Sequence, residues 1–380
     1  MDAYANRRVG DPAPWFTQRS ASHSRYAFDT AAGRYIVLCF YGSARNAGSR
    51  GALKTIFAGR TIFDDEKACF FGISLDKDDE RKNRVRDSFP GLRFIWDFDG
   101  SACKLYGAIA KEADLKQGKV AMRRHWVVLD PTLRIIKILQ FSHDGSCARE
   151  ILGFLENLPP PSRFAGFEVQ APVLVLPNVF EPGLCRHLID LYEAHGGEES
   201  GFMSEVGGKT VVIQDYGHKR RRDYNIEDPE LQKALEARIS RRVVPEILKV
   251  HQFNATRIER FIVACYRAED GGHFMAHRDN TTKGTAHRRF AVSINLNSEF
   301  DGGELKFPEY GPRSLKPPPG GAVVFSCSLL HRVSKVTSGM RYAFLPFLYD
   351  EAAAKVREEN DKFLDGGGHY KADVQPDATT

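Results

Sequence analysis

The chain has 380 residues, 42% of them hydrophobic and 11% aromatic, which is globular composition and length enough for one to three domains. A formal net charge of +5, from 54 basic against 49 acidic residues, is too slight a bias to indicate a nucleic-acid partner. No apolar run approaches a membrane span and no signal-like segment follows the polar start, so no membrane partner is expected. The seven cysteines are odd in number and form no C-x-x-C pair, which argues against a disulfide framework and a structural zinc site and favours a reducing, cytoplasmic setting.

Arg34–Tyr41 and Cys69–Leu75 read as buried strands. The charged stretch Asp78–Phe89 reads as a surface helix, Leu92–Asp97 as a strand and Ser101–Ala110 as a helix. His125–Leu129 and Ile135–Gln140 flank Asp130-Pro131 and read as a hairpin. Strands interleaved with helices indicate an α/β domain with a mixed sheet. Consecutive prolines at Pro159-Pro160-Pro161 can continue neither a helix nor a central strand and mark a domain boundary.

Beyond the boundary, Pro182–His195 and Pro229–Phe253 carry apolar residues at helical spacing. Short strands follow at Arg260–Tyr266, Phe290–Asn295, Glu304–Phe307, Ala322–Phe325 and Arg341–Leu348. Helices followed by many short strands suggest a jelly roll buttressed by helices. The expected class is thus α+β in two domains, followed by a C-terminal helix and a flexible tail over 351–380.

The sharpest chemical signal is His277-Arg278-Asp279. On an extended strand, residues i and i+2 share a face, so His277 and Asp279 can face one cavity while Arg278 faces away. His331, after the apolar strand Ala322–Phe325, is placed to supply a third ligand. Two histidines and one carboxylate make the facial triad of non-haem iron(II) oxygenases, which leaves positions open for a co-substrate and dioxygen. Ten residues on, Arg341 begins an apolar strand, and a buried guanidinium there needs a carboxylate, which 2-oxoglutarate would supply. Singly these are weak signals: His277 alone reads as a surface or satisfied core histidine, and Arg341 alone as a surface ion pair. Their joint order and spacing carry the reading.

Residues 258–350 resemble the catalytic core of the prolyl 4-hydroxylase-like branch of the 2-oxoglutarate oxygenases. The matching text runs from Tyr266 through Gly271-Gly272-His273-Phe274-Met275-Ala276-His277-Arg278-Asp279-Asn280 to Gly302-Gly303-Glu304-Leu305, Gly320-Gly321, His331-Arg332-Val333 and Gly339-Met340-Arg341-Tyr342. The resemblance implies a double-stranded β-helix with Fe(2+) at its open end, 2-oxoglutarate as co-substrate and, by analogy, L-ascorbate as a possible further cofactor. It implies hydroxylation of a prolyl residue or a small molecule, with dioxygen consumed and succinate and CO2 released. It also makes Tyr266 a candidate to hydrogen-bond 2-oxoglutarate, with a core tyrosine as the alternative. Many members carry lysine where Arg341 stands. Asp279 speaks against the related halogenases, which lack this carboxylate. Phe347 stands where nucleic-acid demethylases of the superfamily carry a second arginine.

The opening Val9-Gly10-Asp11-Pro12-Ala13-Pro14-Trp15-Phe16 resembles that of peroxiredoxins, and the likeness continues through Tyr35–Tyr41, Gly72–Asp76, Trp96–Gly100 and Arg124–Asp130. It implies a thioredoxin-like fold over residues 1–160. The family's threonine and reactive cysteine fall near Asn46 and Ser49, in a loop without any cysteine, and Arg124 stands where the family keeps an activating arginine. Without a thiolate there is no peroxide nucleophile. The domain therefore reads as redox-inactive, serving docking, substrate presentation or homodimer formation. Thiol peroxidase activity and a catalytically silent binding protein stand as the alternatives.

Two further features bear on the site. The run Lys219-Arg220-Arg221-Arg222 reads either as a solvated loop or as an anchor for an anionic substrate. His273 and His287 flank the metal strand and read as supporting or surface groups. The expected organisation is 1–160 thioredoxin-like, 171–350 dioxygenase and 351–380 helix with tail.

Overall fold

The computed structural model describes residues 3–117, 120–142, 144–366 and 370–372. It divides into one unit of Met1–Gln170 with Pro308–Pro312, and a second of Ala171–Phe307 with Arg313–Thr380.

In the first unit every residue of the strand Tyr35–Gly42 is buried, as expected of a strand covered on both faces. It is flanked by Ala68–Ser74 in parallel, with Leu38 opposite Phe71, and by His125–Leu129 antiparallel, with Val37 opposite Val128. The seven-stranded sheet continues outward through Leu92–Trp96, Thr17–Ser20 and Tyr26–Ala27 on one side and Ile135–Gln140 on the other. Helices Ala47–Ala58 and Ser146–Glu156 pack on it through Ala52, Leu53, Ile56, Ala148, Ile151 and Leu155. This is a thioredoxin-like α/β sheet. The helix over Ala47–Ala58 falls where the sequence suggested a loop; the Asn46 side chain caps it by accepting from the Gly48 and Ser49 amides.

Two expected helices are short. The charged stretch is helical only over Lys77–Arg81. Asn83 turns left-handed at φ 50°, and Arg84 folds back onto Asp76 at 2.9 Å and Asp79 at 3.1 Å. Asp79 is not at the surface but fully buried, accepting from the Ala44 amide and the Ser74 hydroxyl. The second helix covers only Ser101–Leu105. Gly107 follows at φ +71°, and a Cβ there would meet the Ala5 carbonyl at 2.1 Å, so the chain turns where only glycine fits.

The second unit is a double-stranded β-helix. Its smaller sheet runs Lys219–Arg220, His273–His277, His331–Val333, Leu305–Lys306, Ser314–Leu315. The larger includes, in order, Arg257–Glu259, Phe347–Tyr349, Phe290–Asn295, Val336–Phe344, Ile262–Arg267 and Arg222–Asn225. Alternation sorts its side chains. Val263, Cys265 and Tyr342 join the core under the helices, with Leu188, Tyr192, Leu235 and Ile239, while Tyr266 and Arg341, direct partners across the ladder, share a face. The expected helix Pro229–Phe253 is two helices, Pro229–Arg242 and Val244–His251. Pro245 has no N–H to continue the ladder, so the axis breaks at Val243.

An unanticipated hairpin joins Phe202–Val206 to Lys209–Ile213 through Gly207-Gly208, both at positive φ (58° and 81°), as a two-residue hairpin turn requires. After the expected C-terminal helix, Glu351–Asp361, the chain docks on this hairpin: the Thr210 amide donates to the Phe363 carbonyl at 2.7 Å and the Asp365 amide to the Thr210 carbonyl at 3.1 Å. Part of the expected flexible tail lies outside the described residues. Among the described residues no helix is long and apolar enough to cross a membrane.

Candidate metal centre

His277 ends the strand His273–His277 and His331 begins the strand His331–Val333, and the two are opposite one another across the ladder. The register slips between the Phe274–Val333 pair and this one, a bulge that re-aims the end of the strand. Asp279 does not continue the strand, as the spacing argument assumed; it lies in the turn just beyond. That turn is tied to the approach to His331. The Asp279 amide donates to the Cys327 carbonyl at 3.0 Å, the Asn280 amide group to Ser328 Oγ at 2.8 Å, and the buried Arg278 guanidinium to the Ser328 carbonyl.

The result is a cluster in which one ligand atom from each of His277, Asp279 and His331 lies within 4.8 Å of the others. His277 Nε2 is 3.5 Å from Asp279 Oδ1, and His331 Nε2 is 3.4 Å from Asp279 Oδ2. On the far side of each ring, Nδ1 donates to a backbone carbonyl, Met275 at 2.8 Å and Leu329 at 3.0 Å. These bonds fix the tautomer and leave both Nε2 lone pairs facing the carboxylate. Burial, and then the neighbouring His331, push His277 down to about 4. Burial alone would raise Asp279, but His331 and His277, with Arg288 behind, hold its carboxyl well below the usual range. A neutral His277 imidazole beside an ionised carboxylate is the protonation state a divalent cation needs.

Behind the cluster, Arg288 donates to the Asp279 carbonyl at 3.5 Å and forks onto Glu259 at 2.7 and 3.0 Å. His287, 2% exposed, contacts the same carboxylate at 2.7 Å and is a buried support rather than a ligand. His273 contacts the Gly271 and Gly217 carbonyls. Phe347 carries the Arg260 and Arg288 guanidinium groups over its ring at 4.2 and 4.1 Å.

Arg341 is 3% exposed, and among the described residues its hydrogen-bond partners are neutral, with Asn295 Oδ1 at 3.1 Å and Ser293 Oγ at 2.9 Å. Its Nη1 is buried and has no partner among the described residues. Its Cζ stands 5.3 Å from the centre of the Tyr266 ring, and Tyr266 is 1% exposed. A buried cation with two neutral partners and an idle donor fits a ligand carboxylate. The motif reading missed Ser293 and Asn295, although they are legible as polar residues two apart within the otherwise apolar FAVSIN strand.

Of the basic run, Lys219 and Arg221 are buried, each 5% exposed, and so are not a solvated loop. Lys219 packs over the Phe274 ring at 5.0 Å, and that ring stacks on His277 with centroids 3.5 Å apart.

In the first unit, Arg124 Nη1 donates to Asn46 Oδ1 at 2.9 Å and to Ser49 Oγ at 3.2 Å. Ser49 is fully buried and donates to the Tyr41 carbonyl. The three positions singled out from the sequence thus meet in space, with a hydroxyl where a thiol would be needed. All seven cysteines are free and buried.

Comparison with known proteins matches both halves. Residues 261–349 match the model of the 2OG-Fe(II) oxygenase superfamily, which implies Fe(2+) and 2-oxoglutarate, and residues 9–138 match that of the AhpC/TSA family. A PKHD-type hydroxylase of Pseudomonas putida (strain KT2440) is 30% identical over 154 residues, covering 37% of this chain and 65% of the relative. A PKHD-type hydroxylase of Synechococcus sp. (strain JA-2-3B'a(2-13)) is 32% identical over 93 residues, covering 23% of this chain and 41% of the relative. The chain therefore spans between two-fifths and two-thirds of the length of these relatives. Among solved structures, the viral collagen prolyl hydroxylase of Paramecium Bursaria Chlorella virus-1 is 15% identical with a TM-score of 0.36, over 47% of this chain and 96% of that one.

Proposed function

We propose that the second unit is an iron(II)- and 2-oxoglutarate-dependent hydroxylase, with His277, Asp279 and His331 as iron ligands. Arg341 holds the distal carboxylate of 2-oxoglutarate and Tyr266 donates to the same ligand. The observation that carries this reading is the pairing of a pre-oriented His–Asp–His cluster with a buried guanidinium that has only neutral partners and an idle Nη1. When bound, Fe(2+) would couple dioxygen reduction and decarboxylation of 2-oxoglutarate to hydroxylation, releasing succinate and CO2. The chain's own residues do the positioning. The Met275 and Leu329 carbonyls keep Nε2 of each histidine free. Arg288 and Glu259 brace the turn that bears Asp279. Tyr266, Phe274 and Val333, all nearly inaccessible, keep the walls poor in water. The substrate class proposed is a prolyl residue or a small molecule.

In domain terms, residues 171–350 carry this activity, with 1–160 as a redox-inactive thioredoxin-like partner and 351–380 as helix and tail. Ser49 beneath Arg124 supports the inactive reading, since no thiol stands there. The test is succinate formation from 2-oxoglutarate in air with added iron(II). Wild type is expected to form succinate in slow uncoupled turnover, and His277→Ala to form none. A wild type that neither forms succinate nor binds iron(II) and 2-oxoglutarate anaerobically refutes the assignment.

A further inference from the structure

Three side chains of the basic segment alternate along one face: Lys219, Arg221 and Asp223. Their neighbours leave in the other direction. Arg220 lies over the Tyr216 ring at 3.9 Å, and Arg222 reaches toward Glu199 at 3.9 Å. Arg221 is 5% exposed and reaches the same tyrosine as Arg341 does. Its Nη1 donates to Tyr266 Oη at 3.4 Å, and its Cζ is 5.8 Å from the ring centre, against 5.3 Å for Arg341. Arg221 Nη2 is fixed by Asp223 at 2.6 Å and by Ser200 Oγ at 3.3 Å. Ser200 in turn donates to Asp223 and accepts from Lys219 Nζ. Arg221 Nε is buried and has no partner among the described residues. Tyr266 is therefore flanked by two guanidinium groups, of which, among the described residues, Arg221 has a carboxylate partner and Arg341 has none. Because Tyr266 Oη accepts from Arg221, the phenol's own proton is left to be donated to a ligand.

Resting on the co-substrate assignment above, we infer that Arg221 is a positioning residue that sets the specificity of that pocket: by donating to Tyr266 Oη it commits the phenol proton to the ligand's distal carboxylate, which favours a 2-oxo dicarboxylate over a 2-oxo monocarboxylate. Arg341 meets the distal carboxylate directly. Arg221, its charge balanced by Asp223, acts through the Tyr266 hydroxyl, which it orients toward that carboxylate, while Asp223 and Ser200 hold Arg221 in place.

The test is calorimetric binding, with the full chain loaded with Mn(II) in place of iron, of 2-oxoglutarate and of 2-oxobutyrate, which lacks the distal carboxylate. Arg221→Met alone would strand the Asp223 charge, so the informative variant is the double Arg221→Met/Asp223→Asn. It is expected to weaken 2-oxoglutarate by about 10- to 100-fold, the range for losing one hydrogen bond to a charged group, here the Tyr266 bond that Arg221 no longer orients. Affinity for Mn(II) and for 2-oxobutyrate should stay within about twofold of wild type, since neither has a distal carboxylate for Arg221 to act on. Unchanged 2-oxoglutarate affinity, or an equal loss for both acids, overturns the inference and leaves Arg221 as the structural counter-ion of Asp223. Should the double variant not fold, Arg221→Lys decides in the same way, with a smaller loss confined to 2-oxoglutarate expected. A wild type that binds neither acid while Mn(II) is bound instead refutes the co-substrate assignment itself.

Discussion

Replacing Arg341 by methionine separates binding from folding more cleanly than any other change at this site. Two opposed terms set its effect on stability. Methionine deprives Asn295 Oδ1 and Ser293 Oγ of their donor, which costs about 1–3 kcal/mol for each group left unmet. Against this, it removes a buried charge without a carboxylate partner, whose desolvation costs several kcal/mol. The terms are of similar size, so the melting temperature without ligand should move by no more than a few degrees. Ligand affinity has no such compensation. Losing one partner of a buried, hydrogen-bonded charge pair costs about 3 kcal/mol, or about two orders of magnitude in Kd. At a 2-oxoglutarate concentration about 100-fold above the wild-type Kd, the bound ligand stabilises by about 2.7 kcal/mol, which raises the melting point of a unit this size by about 5–10 °C. For Arg341→Met at the same concentration, the same relation leaves about 0.3 kcal/mol and a shift of about 1 °C. Thermal melts with saturating Mn(II), with and without 2-oxoglutarate, read both quantities. A variant that melts like wild type and keeps the full ligand shift would refute the role given to Arg341.

Other consequences can be checked separately. Burial, and then the neighbouring Arg221, push Lys219 down to about 6, so between about pH 6 and 10 the unfolded chain holds a proton that the folded amine does not. Stability linked to Lys219 therefore rises with pH across that window. Denaturant titrations should show wild type gaining on Lys219→Met from pH 7 to pH 10, and a pH-independent difference would contradict this. All seven cysteines should be silent to an aromatic disulfide reagent in the native protein and react only on unfolding, because each is buried; fast native labelling would reopen the peroxidase alternative. Ending the chain after Asp361 should strip amide-exchange protection from Thr210, whose N–H donates to Phe363, while leaving the Ile262–Arg267 strand protected. Unchanged protection at Thr210 would mean that the hairpin stands without the docked segment.

What could be read from the sequence alone was chemistry carried by short-range spacing. His277, Asp279, His331 and Arg341 stand in an order that suggests a metal and a carboxylate ligand, and the apolar runs at Tyr35–Tyr41 and Phe290–Asn295 read as strands, which both form. Ser49 in a loop without cysteine likewise left that loop without a thiolate before any geometry was known. What the sequence could not supply were the distances set by long-range register. A bulge beside Phe274 and a turn stitched to Cys327 and Ser328 bring Asp279 between the two imidazoles, although Asp279 is not on the strand that the spacing implied. Helix lengths failed for more local reasons. Arg84 folds back onto Asp79, which is buried against the Ala44 amide in a way a charged stretch does not reveal, and Pro245 splits a helix that periodicity alone would join. The basic run Lys219–Arg222 is the plainest case. Composition reads it as a solvated surface, but the pairing of Arg222 with Cys265 turns Arg221 inward beside Tyr266. Side-chain type determines what a residue can do, whereas its direction depends on which strand lies beside it, and that is decided only when the whole hydrogen-bond ladder closes.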